Sequence, residues 1–444
     1  MAISREQRAF IEAIKAAPDD DAPRLLFADF LEERGDPRGT LMRDQVYMSK
    51  PDIDPKLWAQ LNSRVQESIE KNRVEWSEGV PEGARIVGFD RGLLKIETSV
   101  KSLADFQGEL SPYVTGVTVS PRGYRLDAEQ QGRELTQGLT KLSGACIQSL
   151  HIDGIPIGRR GFLSHTRLQE FSGMLADLRE LKITGCDLTD EDVRVLASSP
   201  DLANVRVFDL SGNLISREGI MAIATSPHLQ LEDLSLNHSC LEGVGTALAG
   251  RETSRSWENL KSLSLNNTNM TTGDAQALAG AKWSGLHNLD IGDNPIGDDG
   301  VAALVNSRIV ANLTSLGLGK IGVFRNPKNR RPMHGGLTAL VNSPYLGKLE
   351  TLDLHGNGLG PDQADLLSLA RKLGNLRDLD VGDNPLSPAG AEGLARNGAL
   401  RELTSLNFRS CGLGDRGVEG IAGRKLGDRL PIRELILADN KIGP

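Results

Sequence analysis

One string recurs along this chain and constrains its fold more than any other feature. Leu376 to Leu386 reads LRDLDVGDNPL, and close copies begin at Leu286 (LHNLDIGDNPI) and Leu349 (LETLDLHGNGL). The shared pattern is L-x-x-L-x-L-x-x-N-x-L. Leu379 and Val381 alternate as in a strand, and Asn384 follows where the chain must turn. A single segment of this kind cannot bury its own apolar face, so copies must stack and share one core. The residue equivalent to Leu379 recurs at Leu150, Leu181, Phe208, Leu234, Leu263, Leu289, Leu316, Leu352, Leu406 and Leu435. The period is about 27 residues, room for a strand, a turn, a short helix and a return. Gly-apolar pairs mark the helix side: Gly219 with Ile220, Gly300 with Val301, Gly390 with Ala391, Gly417 with Val418. The pattern predicts an α/β solenoid with a parallel inner sheet and outer helices.

Composition agrees. The chain has 444 residues, 49 of them Gly, and only 4% aromatics, which suits a many-turned repeat better than a ring-lined catalytic pocket. The formal net charge of −8 argues against whole-molecule attraction to nucleic acid or anionic lipid. The start, MAISREQRAF, lacks a secretory apolar region, and no stretch is long and apolar enough for a membrane span. Cys146, Cys186, Cys240 and Cys411 are far apart and form no CxxC, so reduced thiols in a cytoplasm are expected.

Four regions are expected: a helical module over 1–50, a helical connector over 51–84, irregular opening repeats over 85–146, and the regular array over 147–444. Ser4 with Gln7 reads as a capping box ahead of Phe10, Ile11 and Ile14. Asp21 reads as the cap of a second helix, with Asp19 and Asp20 in a solvated turn, Gly35 as its C-cap and Pro37 as a stop. A third helix carries Leu41, Met42, Gln45 and Val46. In the connector, Leu57, Leu61, Val65 and Ile69 share one helical face, and Trp58 and Trp76 are expected to cover the seam with the array. Gly88 to Thr98 and Val114 to Ser120 read as strands.

The string PDDDAPRLLFADFLEERGDPRG, Pro18 to Gly39, resembles the short repeat-companion domain at the N-terminus of many bacterial repeat proteins, with Phe30 where that family usually has Trp. That family implies no activity. The array resembles the ribonuclease-inhibitor class of leucine-rich repeats, which alternates Asn and Cys at one turn position. Here that position holds Cys186, Asn213, Ser239, Thr268, Asn294, Ile321, Asn357, Asn384, Cys411 and Asn440. An Asn amide, thiol or hydroxyl there can satisfy backbone groups left unpaired as the chain turns inward, so these residues are read as structural. Ile155 and Ile321 break the ladder, and repeats there are expected to be less regular. The resemblance implies a leucine-rich-repeat horseshoe.

No phosphate-binding GxxxxGK[ST], zinc-binding HExxH or nucleophilic GxSxG occurs, and the seven histidines show no ligand spacing. GDNPIGDDG, Gly292 to Gly300, fails as a calcium loop because Pro295 and Ile296 stand where a ligand and a glycine are needed. No enzyme activity, cofactor or metal is predicted.

Residues flanking the core leucines point to the concave face. Asp290, Asp293, Asp353, Asp378, Asp380 and Asp383 make an acidic strip there, bordered by His355 and Arg409. Asp378, Asp380 and Asp383 look dispensable to the fold. Adjacent parallel strands lie about 4.8 Å apart, so unpaired carboxylates would repel, which points to a basic partner. Leu316 and Leu352 are 36 residues apart, and the excess holds Lys320, Arg325, Lys328, Arg330, Arg331 and His334 with no acid. This loop, 319–336, can fold over the strip, recruit an acidic partner or nucleic acid, or do neither; the first reading accounts for both oddities. The last strand, in IRELILADNKIGP, has no closing helix after it, so association or fraying is expected there.

The sequence thus predicts a non-enzymatic scaffold that binds a protein on its concave face. The ribonuclease-inhibitor resemblance adds an alternative, regulation of an enzyme as in nuclease inhibitors or small-GTPase activators. The basic loop adds another, nucleic-acid or acidic-partner binding.

Overall fold

The computed structural model describes residues 4–121, 128–142, 144–145, 147–158, 170, 172–241, 243–250, 257–322, 334–395, 402–423 and 432–443. The chain forms two compact units, Met1–Asp187 with Ser199–Val205, and Leu188–Ser198 with Arg206–Pro444.

The first unit opens with four helices, α1 (Arg5–Ala16), α2 (Ala22–Glu32), α3 (Arg38–Met48) and α4 (Pro55–Trp76). Ser4 and Gln7 close the capping box at the head of α1. Asp21 does not cap α2: Asp20 Oδ1 accepts from the N–H of Ala22 at 2.9 Å, while Asp21 Oδ1 accepts from Arg91 Nη1 at 2.8 Å. A partner so distant in sequence leaves no local signal. Phe30 packs at a tilt against Phe10 and Phe27 and carries the Arg34 guanidinium 3.5 Å above its ring. Leu41, Val65 and Trp76 form a shared core, and Phe89 meets the Trp76 ring edge-on at 5.4 Å. Leu57 and Trp58 are not part of it; they are 45% and 43% exposed.

The segment Gly88–Thr98 is not one strand but most of a hairpin. Strand β1 (Arg85–Asp90) pairs antiparallel with β2 (Leu93–Ser99). Arg91 and Gly92 make its two-residue turn with φ of 43° and 91°, the double positive φ that a tight hairpin needs. A side chain at Gly92 would strike Met42, so the turn sits directly on α3. From β2 the pairing is parallel, through β3 (Val114–Ser120) and β4 (Ser149–Asp153) to β5 (Glu180–Thr184). Helices α5 (Val100–Asp105) and α6 (Ala128–Lys141) lie beside this sheet.

In the second unit, nine three-residue strands follow one another in parallel among the described residues: β6 (Val207–Asp209), β7 (Asp233–Ser235), β8 (Ser262–Ser264), β9 (Asn288–Asp290), β10 (Ser315–Gly317), β11 (Thr351–Asp353), β12 (Asp378–Asp380), β13 (Ser405–Asn407) and β14 (Glu434–Ile436). The predicted core residues are Cα partners in unbroken register, from Phe208 and Leu234 to Leu406 and Leu435. Helices such as Arg217–Ala224, Gly297–Val305 and Pro361–Ser368 return the chain after each strand. The core residues are almost fully buried through β13, while Leu435 and Ile436 of β14 are half-buried.

The ladder position behaves as its chemistry requires. Asn384 Oδ1 accepts from the N–H groups of Asn357 and Leu359, each at 2.9 Å, and its Nδ2 donates to the carbonyls of Leu354, Val381 and Gly382. Asn294 and Asn440 repeat this arrangement. Cys411 replaces the amide with a thiol that donates to the Val381 carbonyl, and burial pushes that thiol up to about 11, so it stays protonated. Burial likewise pushes Cys186 up to about 12. Ile321 does not disturb the sheet: β10 keeps register on both sides, and the Ile321 N–H donates to Asn357 Oδ1 at 3.0 Å. The neighbouring Asn supplies what Ile cannot.

Candidate functional site

The candidate face lies on β9 to β13 of the second unit. Position matters residue by residue. Directly after the core residue stand Asp290, Asp353, Asp380 and Asn407. Each folds its side-chain oxygen back on the chain two residues later. Asp290 Oδ1 accepts from the N–H of Gly292 at 3.0 Å, Asp353 Oδ1 from His355 at 2.8 Å, Asp380 Oδ1 from Gly382 at 2.7 Å, and Asn407 Oδ1 from Arg409 at 2.9 Å. These are Asx turns, and they pin the bend that ends each strand. Asp353 and Asp380 are Cα partners on neighbouring strands. Their repulsion is eased by local donors: Asp380 Oδ2 accepts from Asn407 Nδ2 at 2.9 Å, and both oxygens of Asp353 lie within 2.9 Å of His355 Nδ1.

Four residues after the core position, φ is positive in every repeat of this unit: 71° at Gly212, 56° at His238, 53° at Asn267, 52° at Asp293, 49° at Lys320, 66° at Gly356, 53° at Asp383, 53° at Ser410 and 60° at Asp439. Left-handed backbone favours Gly, Asn and Asp, whose short side chains bear it best. Asp293 and Asp383 therefore suit the fold, and Asp380 does too through its turn. Of the three acids expected to be dispensable, Asp378 alone has neither an Asx-turn bond nor a positive φ, and its side chain, like that of Asp383, is exposed.

Lys320 is the cation in this left-handed row. Its Nζ lies 3.6 Å from Asp293 Oδ1, so the first basic residue of the loop reaches the acidic row. Arg325, Lys328, Arg330 and Arg331 lie outside the described residues; His334 sits just before the helix Gly335–Asn342. Arg409 is not a free cation, since its Nε donates to Asp439 Oδ2 at 3.0 Å.

His355 gathers the most interactions. The Asp353 hydrogen bond chiefly holds its imidazole above the ordinary histidine value, with burial and, after it, Lys320 opposing. The ring lies across Gly319, where an added Cβ would fall 2.2 Å from it; the Lys320 stem lies across Gly356, where a Cβ would fall 2.5 Å from Cγ. Sequence reasoning placed His355 at the border of the strip and missed this seating. The cluster of Gly317, Gly319 and Gly356 around one His and one Lys was the available signal.

Elsewhere, the first unit holds a cleft of about 390 Å³ between α1, the end of α6 and residues 108–112, but its cations are engaged. Lys15 donates to the Ala145 carbonyl, Lys141 to that of Phe106, and Arg8 pairs with Glu109. Among the described residues no His, Cys, Asp or Glu group is placed to hold a metal ion. No helix among them is long and apolar enough to cross a membrane.

No curated protein matches the sequence. Solved structures resemble it at low identity. An internalin from Listeria monocytogenes is 20% identical over 69% of this chain and 78% of its own, with a TM-score of 0.41. The mouse RP105/MD-1 complex gives 16% over 78% of this chain and 53% of that one, with a TM-score of 0.43. The yeast Rad7 and Elc1 complex gives 14% over 100% and 95%, with a TM-score of 0.41. The family described as leucine rich repeat matches residues 176–197, 202–224, 286–305, 375–395 and 400–422, windows that each hold a strand, its turn and the helix that follows. The chain thus carries leucine-rich repeats, in an α/β solenoid fold of short parallel strands backed by helices.

Proposed function

We propose that the chain is a non-enzymatic scaffold whose strand face in the second unit binds a protein partner through a basic segment of that partner. The observation that carries this reading is the set of carboxylates on β9, β11 and β12, in which Asp353 and Asp380 are register partners yet remain partly exposed. Like charges on adjacent strands cost stability, and a face that keeps them has a use for the negative potential. The repeats and the N-terminal helices are taken as ribonuclease-inhibitor-like and repeat-companion in kind, as in bacterial proteins, and the protein is placed in the cytoplasm. The buried thiols of Cys186 and Cys411 suit a reducing compartment. Enzyme regulation through an exposed arginine is the weaker reading, because Arg409 is tied to Asp439.

The test replaces Asp290, Asp353 and Asp380 together by Asn. Asn keeps the oxygen that each turn needs, removes the charge and turns the second acceptor oxygen into a donor amide. Affinity purification with the full chain should then lose basic partners that the parent recovers, with circular dichroism unchanged. Undiminished recovery would remove the acidic face from the mechanism.

A further inference from the structure

The turns after β10 and β11 interlock in a reciprocal way. Each contributes a glycine next to a cationic side chain, Gly319 beside Lys320 and Gly356 beside His355. Each glycine is the bed for the other turn's side chain: the His355 ring lies on Gly319 and the Lys320 stem on Gly356. The two cationic heads then reach different acids. Lys320 Nζ stands 3.6 Å from Asp293, and His355 Nδ1 stands 2.8 Å from Asp353. Lys320 takes this place although its φ of 49° suits Gly or Asn better. A lysine there costs conformational energy, and what it gains is this contact.

We propose that Lys320 and His355 form a pH-sensitive clasp that sets the charge of the acidic face and competes with a cationic partner for it. This rests on the acidic face being the binding surface. The groups that face His355 are Asp353 on its own turn, Lys320 from the β10 turn and Asp380 from β12. Nδ1 keeps its proton and its bond to Asp353 in both forms; the titrating nitrogen is Nε2, which has no hydrogen-bond partner among the described residues. When Nε2 gains a proton the ring becomes a cation and cancels the Asp353 charge. When it loses that proton the face gains a net negative charge with no change of fold. Cationic partners therefore bind more tightly as pH rises through the His355 transition. Stability runs the other way. The folded value is raised, so this group's contribution is full below the unfolded value of about 6.5 and is lost as pH climbs through the folded value.

Two measurements on the full chain test this. The first needs no ligand: the ring proton resonances of His355 are titrated in the parent and in Lys320→Asn, a substitution suited to the left-handed backbone. Removing the opposing cation should move the His355 midpoint upward; an unmoved midpoint overturns the clasp. The second measures binding of an oligolysine peptide at about pH 5.5 and about pH 8, either side of the histidine range. The parent should bind roughly fivefold more tightly at the higher pH, at the low end of ordinary site coupling. In His355→Gln, which keeps a donor for Asp353 but does not titrate, that difference should vanish. An equal difference in His355→Gln overturns the clasp. No oligolysine binding by either protein at either pH, with the His355 midpoint moved by Lys320→Asn, would leave the ring contact but sink both the competition and the acidic-face reading.

Discussion

Asn384 and Asp378 lie six residues apart in one repeat and illustrate opposite fates for a polar side chain. Asn384 is 1% exposed and serves five backbone groups from two successive repeats. Replacing it by Ala would strand those groups in the core, and Asn384→Ala should cost about 3 kcal/mol in denaturant unfolding, since each orphaned buried group costs about 1–3 kcal/mol. Asp378→Asn should stay within about 0.5 kcal/mol, as for exposed positions without partners. Similar costs for the two would mean the ladder is not what holds the turns. The ladder was legible because only a few residue types can both donate and accept in a dry turn. The acidic face was legible only in part. An aspartate can serve by its charge, by its Asx turn or by its tolerance of positive φ, and one letter does not separate these. Backbone angles do: Asp293 and Asp383 belong with Gly212 and Asn267, while Asp378 belongs to none of these.

At the scale of elements, the repeats are joined by a device the period alone did not reveal. Asp298 sits in the first turn of the helix Gly297–Val305, yet its carboxylate serves the helix of the next repeat. Oδ2 accepts from the N–H of Gly335 at 3.1 Å and Oδ1 from Gly336 at 3.0 Å. Asp190 does the same for the N–H groups of Ser216 and Gly219. The first N–H groups of a helix have no internal partner, so a carboxylate from the preceding repeat both caps and registers the next helix. Asp298→Ala should cost about 1 kcal/mol, as cap losses do, and should speed amide exchange at Gly335–Leu337 more than in Gly297–Val305. Faster exchange confined to Gly297–Val305 would assign Asp298 to its own helix instead. The strand positions were legible because the L-x-x-L-x-L-x-x-N-x-L spacing within each repeat recurs at intervals of about 27 residues. This bridge was not, because its partner follows an insertion that hides the spacing. The β1–β2 hairpin was hidden for another reason: Arg91 and Gly92 interrupt an apolar run too briefly to look like a turn.

At the scale of the molecule, the formal charge of −8 matters less than where the acids stand. Lys320 and His355 neutralise part of the face locally, and Asp378, Asp380 and Asp383 add charge on the next strand. A potential built from partly exposed groups acts over about 8 Å at physiological ionic strength and about 3 Å at 1 M, so salt should tell steering from contact. If a basic partner is drawn in by this face, its association rate constant should fall about tenfold between low and high salt, while its dissociation rate changes far less. In the Asp290, Asp353 and Asp380 to Asn protein the association rate should already be low and nearly independent of salt. Stopped-flow association of an oligolysine-bearing reporter at several salt concentrations reads both quantities in one series. Equal salt slopes for parent and variant would place the attraction elsewhere on the molecule. A slope that appears in the dissociation rate instead would mean that the carboxylates act by direct contact in the bound complex, and that their turns and left-handed positions, set by the backbone, orient the charges for that contact.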